Sequence, residues 1–231
     1  MHFHRISLAL IALLASFGLA VLFVRPIAAA ELDAAEYGYS ISNYDESLLH
    51  MRRNLDRFWG DPYMTPGNEN KWFTAPGISW LNEAGGTATA CGNMEAAEAD
   101  RRAFFYCRLD KVIYVDYSQM RALQTEWGYD GVLAMLAHEY GHHLQNLLGR
   151  WDSDTRTKEL QADCLSGTAL RWFDTWLPLL DRAELGRLAY STGGGSLENL
   201  QSHGSGEQRQ RWWLYGWDQP GQFACLSATY Y

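Results

Sequence analysis

Basic side chains are in short supply. The 231-residue chain carries 19 Lys and Arg against 27 Asp and Glu, a net charge of −8. A nucleic-acid partner held by a basic footprint does not fit that balance. A Gly-rich phosphate loop, a dinucleotide fingerprint and a Gly-x-Ser-x-Gly elbow are all missing. No glycine repeat, heptad run or solenoid period recurs, which removes fibrous, coiled-coil and repeat architectures. Cysteine is limited to four residues with no C-x-x-C pair, so a cysteine-based zinc knuckle is excluded. Apolar and aromatic residues are not scarce: 47% of the chain is apolar and 10 Trp, 13 Tyr and 9 Phe are present. That composition opposes disorder and suffices for one well-packed domain.

Acidic residues are absent from the first 30 positions. His2, His4 and Arg5 precede an uncharged run over 6–24, followed by Arg25 and Pro26. Ala28 and Ala30 form a small-x-small pair before Glu31. The run exceeds the roughly 7–15 apolar residues of a secretory signal and approaches the ~20 that span a bilayer. Two readings stay open: a signal peptide over residues 1–30, cleaved before Glu31, or an uncleaved anchor. Both put residues 31–231 outside the cytoplasm as one domain. Without Arg5 and Arg25 that domain has 17 basic residues against 27 acidic ones, a net −10. It does not seek an anionic lipid surface, so contact with a membrane is expected only through 6–24 if these are retained. An even cysteine count in an exported chain implies two disulfides among three alternative pairings. Cys91–Cys107, around a hairpin-like segment, together with Cys164–Cys225 is the favoured set; four buried free thiols are the alternative.

Local patterning predicts helices over 45–59, 131–148, from Ser153 or Asp154 to Trp176, over 181–190 and over 206–217. In the first, Leu48, Met51, Leu55, Phe58 and Trp59 lie near one stripe. Strands are predicted at 104–107 and 112–115, with short extended pieces within 71–90. Residues 117–126 read as a helical turn, 192–196 as a flexible break and the C-terminal end as irregular. The sum is an α+β domain, mainly helical with a small sheet.

The chemistry concentrates in the segment His138-Glu139-Tyr140-Gly141-His142-His143. Residues four apart on a helix are offset by about 40° around the axis and about 6 Å along it, so the His138 and His142 imidazoles can reach one metal ion. Glu139, about 100° away, flanks the ion and is placed to take a proton from a metal-bound water. Leu133, Leu136, Ala137, Tyr140, Leu144, Leu147 and Leu148 form an apolar face opposite the histidines. Tyr140 therefore reads as core, and His143 as a structural hydrogen-bonding residue away from the metal. A second helix brings Glu159, which completes a His₂Glu set with an open fourth position. Asp163, one turn on, is placed to accept a hydrogen bond from a ligand imidazole and orient it. One Zn²⁺ per chain is the expected cofactor.

These strings resemble the zincin peptidases whose third ligand is a glutamate. Closer still is the resemblance to the bacterial putative neutral zinc metallopeptidase family, the YpfJ-like group. It is carried by Cys91-Gly92, Phe105-Tyr106-Cys107, 112–116, 138–149, 159–164 and Ser202-His203-Gly204 with Arg209. The resemblance implies a zincin-like fold, zinc-dependent peptidase activity, His138, His142 and Glu159 as ligands and Glu139 as catalytic base. The cysteine pattern also resembles the family's, in line with the favoured pairing. His203 is then either catalytic, stabilising an oxyanion together with or instead of Arg209, or a brace for the last helix. The strand at 112–116 is expected to line the cleft and pair with extended substrate. The reading is a zinc peptidase acting on polypeptides; an inactive zinc-binding envelope domain that recognises polypeptide or cell-wall material is the alternative.

Overall fold

The computed structural model describes residues 44–60, 73–81, 87–94, 103–151, 154–176, 180–193, 203–219 and 222–228. The expected signal or anchor and the stretch 194–196 of the expected flexible break lie outside the described residues. The chain divides into a compact unit Leu48–Tyr231 and a preceding unit Met1–Ser47, of which only the start of a helix is described.

Helix α1 (Tyr44–Gly60) buries the stripe Leu48, Met51, Leu55, Phe58 and Trp59, as its 3.6-residue spacing dictates. A three-stranded sheet follows, built from β1 (Gly77–Trp80), β4 (Phe104–Cys107) and β5 (Val112–Val115). Its order is β1-β5-β4, with β5 parallel to β1 and antiparallel to β4. A separate hairpin joins β2 (Thr87–Thr89) to β3 (Gly92–Met94). Cys91 lies in its turn, and the Cys91–Cys107 disulfide ties that turn to the end of β4, Cα to Cα 5.8 Å. The hairpins thus lie to either side of the bridge, rather than one hairpin lying inside it.

Helix α2 (Tyr117–Leu147) is longer than the expected segment. The turn predicted at 117–126 runs into the ligand helix across a kink at Gly128, with φ 67° and ψ −169°. A positive φ is open to glycine without a Cβ clash, so one residue breaks the axis and the helix resumes. Asp116 caps its start, its side chain accepting from the Gln119 N–H. Helix α3 (Thr155–Trp176) starts where Asp154 accepts from Thr157 N at 3.0 Å. Helices α4 (Arg182–Ser191) and α5 (Gly206–Asp218) begin at Asp181 and at a Ser205–Gln208 capping box. The end of the chain, expected to be irregular, forms a further short helix α6 (Gln222–Ser227), pinned to α3 by Cys164–Cys225, Cα to Cα 5.7 Å.

Helices α2 and α3 cross at Gly141, where a Cβ would come within 2.9 Å of Ala162 Cα. That contact lets the two ligand-bearing helices approach closely. On the far side of α2 the buried Tyr140 donates its hydroxyl to Asp56 of α1 at 2.6 Å. The result is a mainly helical α+β domain of zincin-like type, with β4 packed against α2, where its Tyr106 meets His143 and Asn146.

Candidate metal centre

His138 and His142 leave α2 on the side that faces α3, and Glu159 enters from the first turns of α3. Nε2 of His138 lies 3.3 Å from Glu159 Oε2, and Nε2 of His142 lies 3.4 Å from Glu159 Oε1. Among the described residues these three form a group whose ligand atoms lie within 4.8 Å of one another. Ligands at about 2.0–2.1 Å from a tetrahedral zinc are spaced by about 3.3–3.4 Å, so the donor set fits that ion.

Both imidazoles are held at their other nitrogen. His138 Nδ1 meets Asp163 Oδ1 at 2.9 Å. Arg209 of α5 grips both oxygens of Asp163, Nε and Nη2 each at 2.7 Å, and its Nη1 donates to the Thr192 carbonyl at 3.0 Å. His142 Nδ1 meets Gln145 Oε1 at 2.9 Å. Arg209 also borders the cleft, its Nη2 lying 4.0 Å from Glu159 Oε2, so its guanidinium is shared between Asp163, Thr192 and the edge of the metal centre.

The charges follow from these contacts. Burial works against an imidazolium at His138, but the Asp163 carboxylate and the hydrogen bonds to Asp163 and Glu159 outweigh it, raising its pKa to about 10 in the metal-free protein. Burial likewise disfavours the Glu159 carboxylate, yet the two histidines hold it well below the usual range. Asp163 is held low against burial by Arg209 and His138. A positive charge among these atoms is therefore strongly favoured.

Glu139 is buried at 6% exposure and lines the same cleft as the ligands. The cleft encloses about 690 Å³. Phe104, Phe105 and Tyr106 of β4 border it, with Leu123 and Met135 of α2 adding apolar wall. The strand facing the cleft is therefore β4, not β5. The parallel pairing with β1 makes β5 the central strand with both edges filled, and of the two edge strands, β1 and β4, it is β4 that borders the cleft.

His203 stands in the turn before α5 and borders the cleft, half-buried. His143 lies away from the ligands and bonds Tyr106 Oη at 3.0 Å and the Thr74 carbonyl at 2.5 Å. Burial pushes its pKa down. Trp212, Trp213 and Trp217 are buried and do not border the cleft. Trp151 does, edge-on to His142 at 5.9 Å between ring centroids. Sequence reasoning missed Trp151 and Gln145. Gln145 had a readable signal: it sits one turn beyond His142 on the same helix.

A family model described as "Putative neutral zinc metallopeptidase" matches residues 29–227. An uncharacterized protein of Mycobacterium tuberculosis (strain H37Rv) is 31% identical over 170 residues, 58% of this chain and 56% of that protein. The uncharacterized protein YpfJ of Escherichia coli K12 is 29% identical over 196 residues, 72% of this chain and 65% of that protein. The chain thus spans less than two thirds of the length of either relative. No solved structure matches it.

Proposed function

The chain belongs to the putative neutral zinc metallopeptidase family, and from that premise we propose that residues 31–231 form a zinc-dependent peptidase domain acting on polypeptides outside the cytoplasm. The observation that carries this reading is the convergence of His138 Nε2, His142 Nε2 and the Glu159 carboxylate in a cleft that also holds Glu139. One Zn²⁺ held by these three residues supplies a Lewis acid that acidifies water and polarises a carbonyl.

The remaining work belongs to the chain. Glu139 accepts the proton of the attacking water and returns it to the leaving amine nitrogen. Glu139 borders the cleft beside both ligand histidines, which puts its carboxylate within reach of that water. The β4 edge offers backbone groups along which an extended peptide aligns, its scissile carbonyl toward the ligands. His203, on the same cleft, is the group we assign to the carbonyl oxygen as charge develops there. The two disulfides point to an oxidising compartment, which agrees with export directed by residues 1–30 as signal or anchor.

The test compares the purified chain with its Glu159→Ala and Glu139→Gln variants. About one zinc per wild-type chain, clearly less in Glu159→Ala, is expected by elemental mass spectrometry. Glu139→Gln should keep the metal and lose about 10²–10⁴-fold in peptide hydrolysis. Turnover retained in Glu139→Gln would refute the mechanism. Zinc with no turnover in any chain would leave a zinc-binding envelope domain in its place.

A further inference from the structure

Both ligand histidines are braced, but by opposite chemistries. His138 leans on a charged pair. His142 leans on a run of neutral amides that crosses three helices. Its Nδ1 lies 2.9 Å from Gln145 Oε1. Gln145 Nε2 donates to the Lys158 carbonyl at 2.8 Å and to Gln161 Oε1 at 3.0 Å. Gln161 Nε2 donates to the Cys225 carbonyl at 3.3 Å. Both glutamines are buried, Gln145 at 0% exposure.

The polarity of this run is determined by its backbone members. A carbonyl only accepts, so the Lys158 carbonyl requires the NH₂ end of Gln145, and the Cys225 carbonyl requires the NH₂ end of Gln161. Each amide is thereby prevented from flipping. Gln145 must then present its oxygen to His142, and an oxygen there requires a proton on Nδ1. The neutral ring is left with its lone pair on Nε2, the atom that faces Glu159. Reversing either glutamine would set oxygen against oxygen between buried side chains, at the cost of an unsatisfied buried group. Cys225 itself is fixed to α3 through Cys164, which anchors the far end of the relay.

We propose that Gln145 and Gln161 are positioning residues for the metal centre, a directional hydrogen-bond relay from the Cys225 carbonyl that sets the Nδ1–H tautomer of His142. The proposal rests on the reading of His138, His142 and Glu159 as ligands. It differs from a merely structural role for the glutamines because it makes Gln161 act on the metal only through Gln145.

The experiment is a double-mutant cycle on the full chain, read as zinc affinity by chelator competition, with the melting temperature of the zinc-free proteins beside it. Gln145→Leu should weaken zinc by about 10–100-fold. Gln161→Leu should weaken it less, because the Lys158 carbonyl still holds Gln145. The double variant should be no weaker than Gln145→Leu. Additive losses, or wild-type affinity in folded Gln145→Leu, would overturn the relay while leaving the metal site standing. Absence of zinc from the wild type would instead sink the ligand reading. Should the variants fail to fold, ¹⁵N spectra of the zinc-free wild type at alkaline pH decide. A protonated Nδ1 on His142 supports the relay, and a protonated Nε2 overturns it.

Discussion

Loading the centre with zinc has to expel a proton from His138. In the metal-free protein burial opposes that proton, but Asp163 and Glu159 hold the imidazolium against it, with a pKa raised from 6.5 to about 10. Glu159, already held well below the usual carboxylate range, has no proton to give at neutral pH. His138 thus contributes one proton to the exchange. At about pH 7 displacing it costs about three pH units, or ~4 kcal/mol. Apparent zinc affinity should rise about tenfold per pH unit from about pH 7 to about pH 9 and flatten near pH 10. The same group gives the zinc-free chain a matching trend of opposite sign. Its folded-state pKa lies above the unfolded value, so its stabilisation is complete below about pH 6.5 and fades as pH rises through 10. Chelator competition across this range measures the affinity, and calorimetry in two buffers of different protonation enthalpy counts the protons. Affinity that stays flat between about pH 7 and about pH 9, or zinc uptake without proton release, would refute the reasoning.

Two other perturbations test the supports. Arg209→Met strips Asp163 of its bidentate partner in a buried site, and urea unfolding at neutral pH should register a loss of about 3–5 kcal/mol. That loss should shrink as pH falls and Asp163 takes up a proton, because Arg209 is the first of the charges that hold its pKa down against burial. Gly141→Ala forces a methyl to within 2.9 Å of Ala162 Cα, so the α2–α3 crossing must open. A stability loss of about 1–3 kcal/mol with weaker zinc binding is expected, and unchanged zinc affinity would mean that the crossing does not set the ligand spacing.

The pieces of the site that were legible in the sequence are those fixed by helix geometry. His138 and His142, and then Glu159 and Asp163, stand four apart, and a helix turns that spacing into a shared face without help from the rest of the chain. The cap at Asp154 is local in the same sense, its carboxylate accepting from Thr157 N. Features set by distant partners were not legible. The strands at 104–107 and 112–115 announce themselves by composition, but nothing in them says that β1 will pair in parallel with β5 and bury its free edge. The turn at 117–126 and the helix at 131–148 were read as separate elements; here the chain resumes its helix beyond Gly128, stabilised by burial of Gly131, Val132, Leu133 and Ala134. Arg209 was visible as a cation near the site, yet its task depends on α5 lying against α3, which no local pattern encodes.

The two braces also make electrostatic sense together. Glu139, Glu159 and Asp163 bring three carboxylates to the centre, and Arg209 brings one guanidinium. Their formal sum is −2, the complement of a divalent cation. Arg209 cancels Asp163, so His138 is oriented by a strong charged acceptor that adds no net negative charge to the pocket. Had a second carboxylate stood where Gln145 does, the sum would be −3, and the surplus would blunt the field with which a bound ion acts on water and carbonyl. A neutral amide orients His142 without that penalty, but an amide can flip and a carboxylate cannot. The Lys158 and Cys225 carbonyls are what a neutral brace requires and a charged one does not: fixed acceptors that make the amide's direction as definite as the charge of Asp163.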